Sequence, residues 1–114
     1  PVGNFHVYDP ISKILFSGDV GASLVDAETA AKPIEDFDHH LHNNGMLGFH
    51  KRYMSGNKAC RYWVNMVRQL DVEWIVPQHG ASFKGKEMVN RFLDWLEDLE
   101  CGIDLLSQED FKVL

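Results

Sequence analysis

Several features that would assign a class at once are scarce in this 114-residue chain. Its two cysteines, Cys60 and Cys101, lie far apart and neither belongs to a C-x-x-C pair, which excludes a zinc knuckle, a dithiol redox motif and a dense disulfide framework. Both read as small core residues of a cytoplasmic protein. No apolar stretch approaches the ~20 residues needed to cross a bilayer, so no membrane association is expected. No charged and then apolar leader opens the chain, so no signal peptide is expected, and because it opens on Pro1 rather than methionine we expect chain upstream of it. Positive charge is short as well: 11 Lys and Arg against 17 Asp and Glu leave a net charge of −6, a poor match to a phosphate backbone, and no nucleic-acid partner is expected. There is no internal repeat and no low-complexity tract.

What is present is a core. Hydrophobic residues make up 45% of the chain and aromatic residues 11%, enough to exclude disorder and to support one soluble domain. Charge is partly segregated: residues 50–68 hold five basic residues and no acid, and residues 94–110 hold seven acids and no base, a pattern read as the solvated faces of two helices.

Phe5-His6-Val7-Tyr8 alternates, Asp9-Pro10-Ile11-Ser12 places proline where a turn favours it, and Ile14-Leu15-Phe16 is a short apolar run; together they predict a β-hairpin with His6 exposed. Residues 24–44 lack a sustained period and read as a polar lid or crossing segment. A short helix is expected over Met46–Tyr53. A second, capped by Ser55 or Asn57, should bury Ala59, Cys60, Trp63, Val64, Met66, Val67 and Leu70. Glu73-Trp74-Ile75-Val76-Pro77 reads as a short strand closed by proline. A third helix is expected over residues 86–100, with Val89, Phe92, Leu93, Leu96 and Leu99 on one stripe. Residues 102–114 read as a docked helix or a linker.

Two residues stand out for chemistry. Asp19, within Ser17-Gly18-Asp19-Val20-Gly21-Ala22-Ser23, and His79, within Gln78-His79-Gly80, each follow directly on a strand in a glycine-containing turn, where an α/β sheet presents functional groups. A carboxylate and an imidazole suit zinc, iron or manganese. On these residues alone, an Asp after a strand is usually a turn or cap residue and a lone His is usually structural. Asp38-His39-His40-Leu41-His42 looks like a metal cluster but falls in the polar connection, where it reads as a surface loop. His50 and Tyr53 lie three apart on the short helix, facing solvent or packing. Cys60 belongs to the core.

The order hairpin, Phe16-Ser17-Gly18-Asp19, helices, then Val76-Pro77-Gln78-His79-Gly80 resembles the second half of the metallo-β-lactamase fold. Within it the S-G-D-x-G-A segment and Lys51-Arg52-Tyr53-Met54 are similar to the di-iron branch, the flavodiiron proteins and related oxygen-binding di-iron proteins. The resemblance covers about residues 1–90 and implies an α/β fold: half of an αββα sandwich, a mixed sheet with helices on its outer face, forming one partial domain over residues 1–114. It implies that Asp19 bridges two metals and that His79 is the last histidine ligand of the second; the Tyr53 hydroxyl, read from its place on the short helix, is the alternative candidate for a donor beside them. The family's first ligand run, H-x-[HE]-x-D-H, is absent, and its next histidine would fall just before Pro1-Val2-Gly3-Asn4. The missing N-terminal half is therefore an expected partner, with pairing of two copies as the alternative.

The function implied for the intact protein is binding or reduction of dioxygen or nitric oxide at two non-haem iron ions, an oxidoreductase chemistry that the chain alone would not perform. Two other readings remain open. One is a di-zinc hydrolase, in which the same residues help make hydroxide at neutral pH. The other is a sensor that signals diatomic binding to a partner without turnover. No glycine-rich flavin loop follows residue 102, which favours a stand-alone oxygen-binding protein over a reductase with a flavodoxin-like domain.

Overall fold

The computed structural model describes residues 6–110, with the Glu109 side chain excepted; Phe5 and the Pro1-Val2-Gly3-Asn4 segment lie outside the described residues. Four short strands, β1 (Val7–Asp9), β2 (Ile14–Phe16), β3 (Trp74–Val76) and β4 (Phe83–Lys84), form one sheet in that spatial order. β1 and β2 are antiparallel, β2 and β3 parallel, and β3 and β4 antiparallel, so the sheet is mixed and the fold α/β as expected. Between β2 and β3 run α1 (Ala27–Ala30), α2 (Phe37–Asn43), α3 (Met46–Tyr53) and α4 (Asn57–Arg68); α5 (Lys86–Glu97) follows β4. No helix among the described residues is long and apolar enough to cross a membrane.

The hairpin turn works through Asp9. Its carbonyl accepts from the Lys13 N–H, and its carboxylate accepts from the Ile11 N–H and the Ser12 hydroxyl, which tightens four loop residues and leaves Lys13 at φ 60°. His6 differs from expectation. It precedes β1, is half-buried, and accepts the Trp63 indole N–H at 2.7 Å, because that indole on α4 needs an acceptor at its polar tip.

Register sorts the side chains by face. Tyr8, Leu15, Ile75 and Phe83 form one row across all four strands. In this row Leu15, Ile75 and Phe83 are fully buried and Tyr8 packs against the core. Phe83 stacks on Phe92 of α5, with ring centroids 4.4 Å apart, and α5 packs on β3, β4 and α4. The neighbouring rows, Val7–Phe16–Val76 and Asp9–Ile14–Trp74–Lys84, point to the other face, where Val7 is 60% and Phe16 44% exposed. Helices therefore cover one face, and no described residue seals the other.

Residues 24–44 are not a plain loop. Asp26 and Asp36 accept from Thr29 N and His39 N as N-caps, starting α1 and α2, and the i, i+3, i+4 set Phe37, His40 and Leu41 is buried. The polar composition hid both helices because their exposed faces are rich in Asp, Glu and His. The expected caps of α4 are also corrected. Neither Ser55 nor Asn57 caps it; the Asp104 carboxylate accepts the Asn57 N–H from across the fold. The Asn57 side-chain amide instead donates to the carbonyls of Glu97 and Leu99 at the end of α5, so α5 stops at Glu97 and not at residue 100. Short 3-10 turns at Gly102–Leu105 and Gln108–Asp110 follow, the first docked by the Ile103 N–H to the Ser55 carbonyl. Cys60 and Cys101 are both buried, with sulfurs 3.5 Å apart. β4 had no sequence expectation, since two residues are too few for a period.

Candidate metal centre

Parallel pairing brings the two singled-out turns together. Phe16 and Val76 are register partners and the last residues of β2 and β3, so the segments bearing Asp19 and His79 leave the same edge of the sheet side by side. They are then zipped to each other. The Ser17 N–H donates to the Val76 carbonyl at 3.1 Å, Gln78 N–H to the Gly18 carbonyl at 2.6 Å, and Ser23 N–H to the His79 carbonyl at 3.2 Å. The Ser23 hydroxyl oxygen accepts from Ala81 N–H. Gly80 lies so close to Ser23 that a methyl group there would come within 2.2 Å of the hydroxyl and 2.6 Å of the backbone nitrogen, and its φ of +98° itself favours glycine.

The Asp19 turn is also pinned from within. The Ser17 hydroxyl donates to the Val20 carbonyl at 2.6 Å, Ala22 N–H to the Asp19 carbonyl at 3.0 Å, and the Val20 side chain is fully buried. Gly21, at φ +92°, passes over the Phe83 ring, where an added methyl would meet a ring carbon at 2.9 Å. Asp19 itself is half-buried and His79 exposed. Neither side chain has a hydrogen-bond or ion-pair partner among the described residues, so both donor groups are free for a ligand. One hard oxygen donor and one imidazole match what iron or zinc takes. They are only two donors: no group of three or more His, Cys, Asp or Glu among the described residues is arranged to hold an ion. Their chemistry fits a metal site, and completing it takes donors from elsewhere.

Tyr53 ends α3, stacks on Phe49 with centroids 5.0 Å apart, and packs against the core. The histidine-rich run is helical, not a loop. His39 and His42 are exposed while His40 is turned inward at 2% exposure, so the three imidazoles do not share one face. His40 Nδ1 pairs with the Asn44 amide at 3.0 Å, its ring meets Phe83 edge-on, and its Nε2 has no partner among the described residues. Burial pushes its pKa down.

The residue that sequence reasoning missed is His50. It is fully buried, with its Nδ1–H donating to the Met46 carbonyl at 2.7 Å and its Nε2 accepting the Gly21 N–H at 2.8 Å. Burial, opposed only in part by the Met46 bond, takes its pKa from 6.5 to about 4, which keeps it neutral. A signal was available: Met46, His50 and Met54 recur every four residues and all three are buried, which marks the inward stripe of α3.

A family profile described as "ODP family beta lactamase" matches residues 1–80. Among solved structures, the chain is similar to one described as "Peroxy diiron species of chemotaxis sensor ODP", with a TM-score of 0.81 and 47% identity over 94% of this chain and 42% of that one. It is similar also to the apo state of the chemotaxis sensor ODP from T. denticola, with a TM-score of 0.79 and 46% identity over 94% of this chain and 43% of that one. The chain thus spans about two fifths of the length of these structures. No match is found among curated proteins. With the family profile covering most of its length and the fold shared with solved ODP structures, the chain belongs to the ODP family of beta-lactamase-like proteins.

Proposed function

We propose that the intact protein containing this chain binds dioxygen at a non-haem di-iron centre and acts as a sensor, with Asp19 and His79 as two of the iron ligands. The observation that carries this reading is the zipped pair of strand-end turns, one bearing the Asp19 carboxylate and the other the His79 imidazole. Its support from outside the chain is the likeness to a chemotaxis sensor described with a di-iron species. Asp19 has two charged oxygens and is suited to bridge two cations, fixing their spacing and offsetting their repulsion. His79 would hold one of the cations from the adjacent turn, and the Tyr53 hydroxyl would be a hydrogen-bond donor to the bound ligand. Two ferrous ions, when bound, supply the electron density that holds a diatomic ligand. The backbone zipper keeps both donors in place before any ligand arrives, which limits the ordering cost of binding.

The remaining ligands come from the chain that precedes this segment, and we assign to it the uncovered sheet face as well. That face presents Val7, Phe16 and Val76 beside Trp74, whose indole N–H is buried without a partner among the described residues. An apolar sheet face of this kind is stable only when a second layer covers it.

The test is metal analysis of the complete protein produced in iron-rich medium, beside an Asp19→Asn variant and a His39→Ala/His42→Ala variant. Two irons per chain in the parent, most of that iron lost in Asp19→Asn and full iron in the double-histidine variant are expected. Zinc in place of iron returns the hydrolase reading, and iron retained by Asp19→Asn but lost from the double-histidine variant moves the site to α2. Oxygen uptake that continues when reductant is supplied would mark a reductase instead of a sensor.

A further inference from the structure

The buried His50 is placed to do more than fill the core. Within the Asp19 turn the Val20 and Ala22 amides donate to carbonyls of the turn itself and the Ser23 amide to the His79 turn, and the Gly21 N–H has His50 Nε2 as its acceptor. The ring that accepts it is itself fixed. Its Nδ1–H is committed to the Met46 carbonyl one helical turn back, which assigns the tautomer and leaves a lone pair at Nε2. Its faces and edges are packed by Phe49, Phe92 and Trp95, with centroids 5.3, 6.1 and 5.5 Å away. An aspartate two residues from a backbone amide held in this way has little freedom to translate.

We propose that His50 is a positioning residue for the metal site: through the Gly21 amide it fixes the height and tilt of the Asp19 turn against α3, and so sets the geometry in which the carboxylate meets its cations. This rests on the reading of Asp19 as a metal ligand. Both imidazole nitrogens are committed to backbone groups, so neither is available as a ligand. The ring supplies a neutral acceptor, which adds no positive charge beside two cations, as a lysine or a protonated group would. Alternatives at this position are few. An apolar residue of like size would leave the Gly21 amide buried without an acceptor, and the turn would have to lift off Phe83 to reach water.

Four variants of the complete protein test this: His50→Leu, His50→Gln, His50→Asn and Asp19→Asn. The probe is cobalt(II), titrated into metal-free protein in competition with a chelator; affinity and the visible ligand-field spectrum are read together, with melting of the metal-free form recorded in parallel. His50→Leu is expected to bind cobalt about 10 to 100-fold more weakly with an altered spectrum, the range found when groups supporting a metal ligand are removed. His50→Gln, whose amide oxygen reaches the position of Nε2, should recover most of both, while His50→Asn, which is too short to meet Gly21, should not. If His50→Leu fails to fold, the Gln and Asn variants decide alone: recovery by Gln without recovery by Asn supports the proposal, and equal behaviour of the two overturns it. A folded His50→Leu with parental affinity and spectrum, beside an Asp19→Asn that has lost metal, overturns the role of His50 and leaves the ligand reading intact. Asp19→Asn with parental affinity overturns the ligand reading, and this inference falls with it.

Discussion

The two faces of the sheet follow opposite logic although they share the same strands. On one, Tyr8, Leu15, Ile75 and Phe83 run in a single register row under α4 and α5 and are buried by side chains of this chain. On the other, Val7 and Phe16 remain open and the half-buried Trp74 is covered in part by the Lys84 ammonium, 5.0 Å from its ring. The first face belongs to a finished core; the second has the composition of a core without its cover. A strand three residues long can serve both because its side chains alternate. The difference teaches that one face is closed by this chain's own helices while the other, built from the same strands, stays open.

Substitutions should divide along that line. The largest effect is expected from Phe83→Ala, which removes the ring stacked on Phe92 beneath Gly21 and should cost about 3–5 kcal/mol in denaturant unfolding of the complete protein. A loss under 1 kcal/mol would mean that the covered face is not the core.

Acid should act on the covered face next. His50 is lowered by burial to about 4 while the unfolded chain titrates near 6.5, so its contribution is fully present above pH 6.5 and is lost as pH falls toward 4. His6 and His40, also lowered by burial, act in the same direction. Stability followed from pH 7 to 4 should drop by an amount on the order of 3 kcal/mol from His50 alone. The drop should be smaller in His50→Gln, and an equal drop in that variant would assign it to other groups.

Phe16→Ala sharpens the contrast directly. In residues 1–114 by themselves the change should alter stability by about 0.5 kcal/mol or less and reduce binding of an apolar dye. In the complete protein it should cost about 2 kcal/mol or more, as for a buried ring. Equal effects in both settings would mean that no layer covers this face.

The smallest effect is expected at the helix surface. Arg68 pairs with Asp94 at 2.8 Å and with Glu97 at 3.0 Å, but these carboxylates are exposed, and Arg68→Ala should cost about 1 kcal/mol or less in thermal unfolding at moderate salt.

The sequence was most legible where chemistry is local. The hairpin, the inward stripe of α4 apart from Met66, which is exposed, and the strand closed by Pro77 followed from alternation, helical spacing and proline, and the glycines around Asp19 and His79 marked sharp turns. It was least legible where a partner comes from far along the chain. Asp104 caps α4, Trp63 finds His6, and His50 finds Gly21, and none of these pairs leaves a trace at either residue alone. Residues 24–44 misled for another reason. Their helices are short and stand on caps and one buried stripe, so composition outweighed period. The nearness of the Asp19 and His79 turns was legible through their matched strand-end, glycine-flanked positions and the resemblance, while the parallel register behind it cannot be read from two isolated strands.

That parallel register also fixes an order of events in folding. The β1–β2 hairpin can close on its own within microseconds, because its partners are neighbours in sequence. The β2–β3 pair cannot, since α1 to α4 intervene and the loop entropy of that span must be overcome before any bond forms between Phe16 and Val76. Until then the carboxylate of Asp19 and the imidazole of His79 belong to separate, mobile stretches of chain. The two turns that bear the proposed ligands are therefore brought together only by a non-local step, after the local hairpin has formed.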